Sequence, residues 1–147
     1  MKVLVTGGTS LLGGTVARRL AERGDETTVF QRRPSGLGVQ EELGDITAAT
    51  AVARAMGGAD AVVHLAARLG EVGSWDDFER PNVGGTAAVL SAARVAGVSR
   101  MVFVSSRSVA HAGESLVGAG ASPVDPEGTS GHYARSKAMA ERLALGE

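Results

Sequence analysis

The stretch "KVLVTGGTSLLGGTVARRLAERG", residues 2–24, decides how the rest of the chain is read. It begins with a short apolar, β-branched run that stops at Gly7 and Gly8. Beyond the glycines, Leu12, Val16 and Leu20 recur at helical spacing until Gly24. A change of period from two residues to about 3.6 predicts a strand, a glycine turn and a helix in that order. Glycines at such a turn let the backbone bend tightly. They also let a phosphate approach the helix N-terminus, where unpaired N–H groups and the helix dipole favour negative charge.

The same alternation runs outward from this unit. "ETTVFQ" (26–31) predicts a second strand, and a short third strand precedes "LGDIT". "TAATAVARAM" (47–56) predicts a helix and "DAVVHLAA" (60–67) a buried strand. A helix over about 77–96 leads into the strand "RMVFVSS" (100–106), and the alanine-rich tail from about Ser130 is helical. Strands alternating with helices predict an α/β fold with a parallel sheet covered on both faces. The segment 109–131 breaks the pattern, being rich in glycine, proline and serine, as functional loops are. No internal repeat or shift in composition marks a second domain, so residues 1–147 read as one.

Composition narrows the partners. With 44% hydrophobic residues the chain can build a core, and a net charge of −1 gives no field that would draw in nucleic acid or an anionic membrane. Neither partner is expected. The absence of cysteine excludes disulfides, thiolate nucleophiles and cysteine-ligated zinc. The apolar run at the N-terminus is too short for a signal peptide or a membrane span, so a cytoplasmic protein is expected. His64, His111 and His132 fall on three separate elements without a paired spacing, so no metal site is expected.

Two groups of residues carry chemistry. "YARSK" sets Tyr133 and Lys137 four apart, on one helix face and one turn from each other. A phenol is a poor acid or base at neutral pH, and a neighbouring ammonium stabilises its ionised form. Tyr133 is the only tyrosine, and Lys2 and Lys137 are the only lysines in a chain that otherwise uses arginine. "VSSRSV" sets Ser105 and Ser106 at the C-terminal end of a strand, the edge where α/β sheets bind ligands.

Taken in order, these motifs resemble those of the extended short-chain dehydrogenase/reductase family, of the NAD-dependent epimerase/dehydratase type. "TGGTSLLG" is similar to its T-G-x-x-G-x-x-G cofactor loop, with Thr6, Gly7 and Gly13 on pattern. Ser10 stands where the family has its middle glycine, so its hydroxyl either donates to the pyrophosphate or crowds it. "RPNVGGT" looks like the family's N-V-x-G-T helix, with Asn82, Val83, Gly85 and Thr86 on pattern. The adjacent Gly84 and Gly85 suggest close packing there.

The resemblance implies a Rossmann-like doubly wound parallel sheet of strand order 3-2-1-4-5 that binds NAD(P). It implies cofactor contacts from Thr6, Gly7, Thr9, Ser10, Leu11, Leu12 and Gly13, from Asp45 and Ile46, from Leu65, Ala66 and Ala67, and from Asn82, Tyr133 and Lys137. At the end of the second strand an acidic side chain suits NAD and arginine suits NADP. Gln31 occupies that position with Arg32 and Arg33 directly after it, which favours NADP over NAD. The implied chemistry is hydride transfer at a carbon bearing a hydroxyl or carbonyl, on a nucleotide sugar or a small ketone. Tyr133 would be the general acid/base, Ser106 would orient the oxygen, and Lys137 would tune Tyr133 and hold the ribose. A homodimer is compatible with the resemblance. Set against family members, the chain is expected to lack the last strands and a C-terminal substrate domain, to expose part of its sheet, and to bind cofactor while turning over little substrate. The competing expectation is a dinucleotide-binding module without catalysis, serving as a sensor or partner subunit.

Overall fold

Alternation along the first strand sets up the layers of the fold. Val3 and Val5 of β1 (Lys2–Thr6) point to one face of the sheet and Leu4 to the other, as a two-residue period requires. The computed structural model describes residues 1–110 and 125–146; His111 and most of the loop expected after Val109 lie outside the described residues. The helix α1 (Leu11–Glu22) packs Ala17 on Val3, Val5 and Val29, the last from β2 (Glu26–Gln31). On the opposite face Leu4, Phe30 and Val62 meet Val52 and Met56 of α2 (Ala49–Met56) and Val89 of α4 (Gly85–Val95). Each of the buried Val, Leu, Phe and Met side chains contributes about 1.5–3 kcal/mol through removal from water. With β3 (Gln40–Leu43), β4 (Ala61–His64) and β5 (Arg100–Phe103) the strands form one parallel sheet, ordered β3-β2-β1-β4-β5. This is the expected α/β, doubly wound architecture. Among the described residues β5 ends the sheet, and its Val102 is 56% exposed. No described helix is long and apolar enough to cross a membrane.

Three elements differ from the expected boundaries. β4 stops at His64 rather than Ala67, because its neighbour β1 ends at Thr6, the residue paired with His64. Gly7 then turns away with φ +80°; the Leu65 amide is shared between the Thr6 carbonyl (3.3 Å) and hydroxyl (3.1 Å), and the Ala66 amide bonds to the Thr6 hydroxyl instead of to a ladder. β5 in turn stops at Phe103, its last residue paired with β4. Val104, Ser105 and Ser106 therefore continue as irregular chain.

The helix expected over 77–96 is divided. It starts earlier, at α3 (Trp75–Phe78), where Ser74 and Asp77 close a capping box. It then passes through a π-helical segment, Glu79–Gly84, before α4. Pro81 offers no N–H to the turn behind it, and the Gly85 amide bonds to Arg80 five residues back. Only one of the two adjacent glycines is tightly packed. A Cβ on Gly85 would stand 2.9 Å from Ile46, whereas Gly84 is exposed. The tail helix is α5 (His132–Leu145), beside α4.

Candidate active site

The turn from β1 into α1 brings backbone against backbone. A Cβ on Gly7 would lie 3.0 Å from the Ala66 nitrogen, and one on Gly13 would lie 2.3 Å from the Gly7 carbonyl oxygen. Ser10 caps the helix: its hydroxyl donates to the Gly7 carbonyl (2.8 Å) and accepts from the Gly13 amide (3.0 Å). The hydroxyl is thus engaged by its own turn. The amides of Leu11 and Leu12, in the first helical turn, have no carbonyl one turn behind them.

A cavity of about 870 Å³ opens beside this helix end, of a size that suits a cofactor. Gly7, Thr9, Ser10, Leu11 and Leu12 line it from the turn. Leu65, Ala66 and Ala67 line it from the segment after β4, and Asp45 and Ile46 from the segment after β3. Gln31, Arg32 and Arg33 border it where β2 ends. Gln31 is buried, and neither polar atom of its carboxamide has a hydrogen-bond partner among the described residues. Buried amides are rarely left so, and a ligand hydroxyl would satisfy this one. The Asp45 carboxyl is held below its ordinary pKa by hydrogen bonds from the Thr47 amide (2.9 Å) and hydroxyl (2.8 Å), with Arg32 and Arg80 adding positive charge.

Tyr133 and Lys137 line the same cavity from successive turns of α5. Lys137 is 4% exposed; its Nζ donates to the Val104 carbonyl (2.8 Å) and sits 4.1 Å from the centre of the Phe103 ring. Burial pushes its pKa down to about 8, against the opposing pull of Glu141 one turn further on. Of the two strand-end serines, Ser105 lines the cavity and hydrogen-bonds the Glu141 carboxylate. Ser106 does not line it; its hydroxyl pairs with that of Ser108 (2.8 Å).

Thr6, Gly13 and Asn82 lie under the cavity wall rather than on it. Thr6 receives the Leu65 and Ala66 amides on its hydroxyl (3.1 and 3.0 Å). Asn82 accepts from the Arg68 amide (2.7 Å) and donates to the Arg68 carbonyl (3.1 Å) and the Ser136 hydroxyl (2.8 Å). His132 packs against the rings of Trp75 and Phe78, and the Arg135 guanidinium lies 5.1 Å from the centre of the Trp75 ring. Among the described residues no group of three or more His, Cys, Asp or Glu could hold a metal.

Sequence reasoning did not single out Arg68 or Arg80, which line the cavity. Arg80 stands two residues before Asn82 and carried no signal of its own. Its place depends on the π-helical segment.

The NAD dependent epimerase/dehydratase family matches the chain over residues 3–146. The chain is 40% identical to a 2-alkyl-3-oxoalkanoate reductase of Stenotrophomonas maltophilia, over 99% of this chain and 46% of that protein. It is 34% identical to a 3 beta-hydroxysteroid dehydrogenase/Delta 5-->4-isomerase of Mycobacterium tuberculosis, over 99% and 42% respectively. A short-chain dehydrogenase/reductase superfamily protein of Agrobacterium tumefaciens, solved with bound NAD, superposes with a TM-score of 0.89 at 31% identity, over 98% of this chain and 44% of that one. The dTDP-glucose 4,6-dehydratase DesIV of Streptomyces venezuelae, with NAD and TYD bound, gives 0.85 at 30% identity, over 99% and 51%. The chain therefore spans about half the length of these relatives.

Proposed function

The chain belongs to the NAD-dependent epimerase/dehydratase family, and on that premise we propose that its cavity binds a nicotinamide dinucleotide and that the protein is an NAD(P)-dependent oxidoreductase. Its substrate class would be compounds whose reacting carbon bears a hydroxyl or carbonyl, such as nucleotide sugars or small ketones. The observation that carries this reading is the presence of Tyr133 and Lys137 in the cavity that the Gly7 turn also lines. The nicotinamide, when bound, accepts or supplies the hydride. Tyr133 holds the proton exchanged with the substrate oxygen, and Lys137 places positive charge one turn away. Ser106 is the serine that the family pattern assigns to orienting that oxygen. Because Ser105 is the one that lines the cavity, Ser105→Ala and Ser106→Ala are to be compared directly.

Coenzyme choice rests on the rim at β2. No carboxylate stands at Gln31, and Arg32 and Arg33 border the cavity there, which suits a 2′-phosphate. The test is a fluorescence titration with NADPH and with NADH. Saturable binding with NADPH the tighter is expected, and Arg32→Ala/Arg33→Ala should weaken NADPH about tenfold and leave NADH unchanged. Equal or tighter NADH binding would overturn the NADP assignment, and binding of neither would overturn the dinucleotide reading. Catalysis is tested by Tyr133→Phe, which should keep nucleotide affinity and lose about 100-fold or more of any NADPH-dependent reduction of a ketone panel. A module that only binds dinucleotide would show no such loss.

A further inference from the structure

His64 is 1% exposed, and each of its ring nitrogens meets a threonine hydroxyl: Nδ1 lies 2.7 Å from Thr6 Oγ1 and Nε2 lies 2.9 Å from Thr86 Oγ1. The direction of both bonds follows from proton bookkeeping. Thr6 Oγ1 already accepts from the Leu65 and Ala66 amides, so its own proton goes to Nδ1. Thr86 Oγ1 already donates to the Asn82 carbonyl (2.6 Å), which can only accept, so it receives the Nε2 proton. Two independent ends of the chain of bonds require the same tautomer. The ring is neutral in this setting, because burial and then the charge of Lys137 push its pKa down to about 3.

The bonds continue past the histidine. Asn82 grips both the amide and the carbonyl of Arg68 and donates to Ser136, whose hydroxyl donates to the Tyr133 carbonyl (2.8 Å). Thr6, Asn82, Thr86 and Ser136 are each at most 1% exposed, so water does not compete for these bonds. The cavity floor, residues 65–68, is thereby held at one end by Thr6 and at the other by Asn82. His64 and Thr86 join the two holders.

We propose that His64 is a positioning residue: fixed with its proton on Nε2, it links the cofactor turn to the helix that carries Tyr133 and sets the cavity floor between them. This assignment of purpose rests on the cavity being the dinucleotide site. The structural link itself does not need a ligand to be measured.

Two variants of the full chain test it, Thr86→Val, which keeps the shape and removes the hydroxyl, and Thr86→Ser, which keeps the hydroxyl. In the unmodified chain and in Thr86→Ser, ¹⁵N spectra of the imidazole should show one tautomer, with the proton on Nε2. In Thr86→Val the proton should stay on Nε2, because Thr6 still donates to Nδ1, but the Nε2 resonance should shift as that N–H loses its acceptor. The Leu65 and Ala66 amides, which do not bond to Thr86, should exchange with solvent at least tenfold faster relative to the Val29 amide in the sheet core. NADPH binding should weaken by a similar factor and be restored in Thr86→Ser. A proton found on Nδ1 in the unmodified chain would overturn the proposal. So would exchange at Leu65 and Ala66 that rises only in step with Val29. Failure of the unmodified chain to bind either nucleotide would sink the cofactor reading alone, and the tautomer and exchange data would still decide the link.

Discussion

Lys137 is the residue whose setting is most readily measured. Its pKa is about 10.5 in the unfolded chain and about 8 in the folded one, lowered by burial. Between those values the unfolded state binds more protons, so this group makes stability rise with pH across that window and contributes no slope below it. The stability of Lys137→Met relative to the parent should therefore fall by about 2 kcal/mol from pH 8 to pH 10, read from denaturant midpoints at each pH. A difference that stays constant with pH would mean that the ammonium is solvated. Tyr133 and Lys137 were legible because a lone tyrosine one helical turn from a rare lysine is an uncommon pattern. The choice between Ser105 and Ser106 was not legible. It depends on where β5 loses its partner, and that is set by the end of β1 two strands away.

Among the elements, the β1–α1 turn is the most exacting. Ser10→Ala removes a helix cap and should cost about 1 kcal/mol, while Ser10→Gly, which restores the family pattern, should cost only a few tenths. Gly13→Ala should cost more than either and abolish nucleotide binding, because its Cβ would meet the Gly7 carbonyl oxygen at 2.3 Å. Urea unfolding of the three variants checks the order, and Gly13→Ala more stable than Ser10→Ala would contradict it. The turn itself could be read from glycine spacing. The cap could not: a serine at that position is equally suited to a phosphate or to its own helix, and only the fold shows which it takes. The π-helical segment was likewise hidden, since Pro81 marks a disturbed helix without saying that the chain stays helical through it. The early ends of β4 and β5 were missed because apolar residues after His64 and Phe103 look like strand, whereas pairing depends on a neighbour's length.

For the whole molecule, the alternation of strand and helix patterns along the chain already implied a parallel sheet covered on both faces, and the strand order followed from the resemblance rather than from any local signal. The buried polar chain from Thr6 to Ser136 lay beyond sequence reasoning because its members are up to 130 residues apart in number, 6 to 136, and look individually ordinary. A ligand that binds only the folded state stabilises it by mass action. NADPH at 100 times its dissociation constant should add about 2.7 kcal/mol and raise Tm by roughly 5–10 °C in a domain of this length. A thermal scan without that shift would show that the cavity does not take the nucleotide. The same molecule also carries its own gauge of that event. Its single tryptophan, Trp75, lies edge-on to His132 at 5.9 Å and beneath Arg135, the residues that flank Tyr133 at the start of α5. Indole emission answers to the charge and distance of just such neighbours, so the colour and yield of this protein's fluorescence should follow the seating of the helix that bears the tyrosine, with no dye attached.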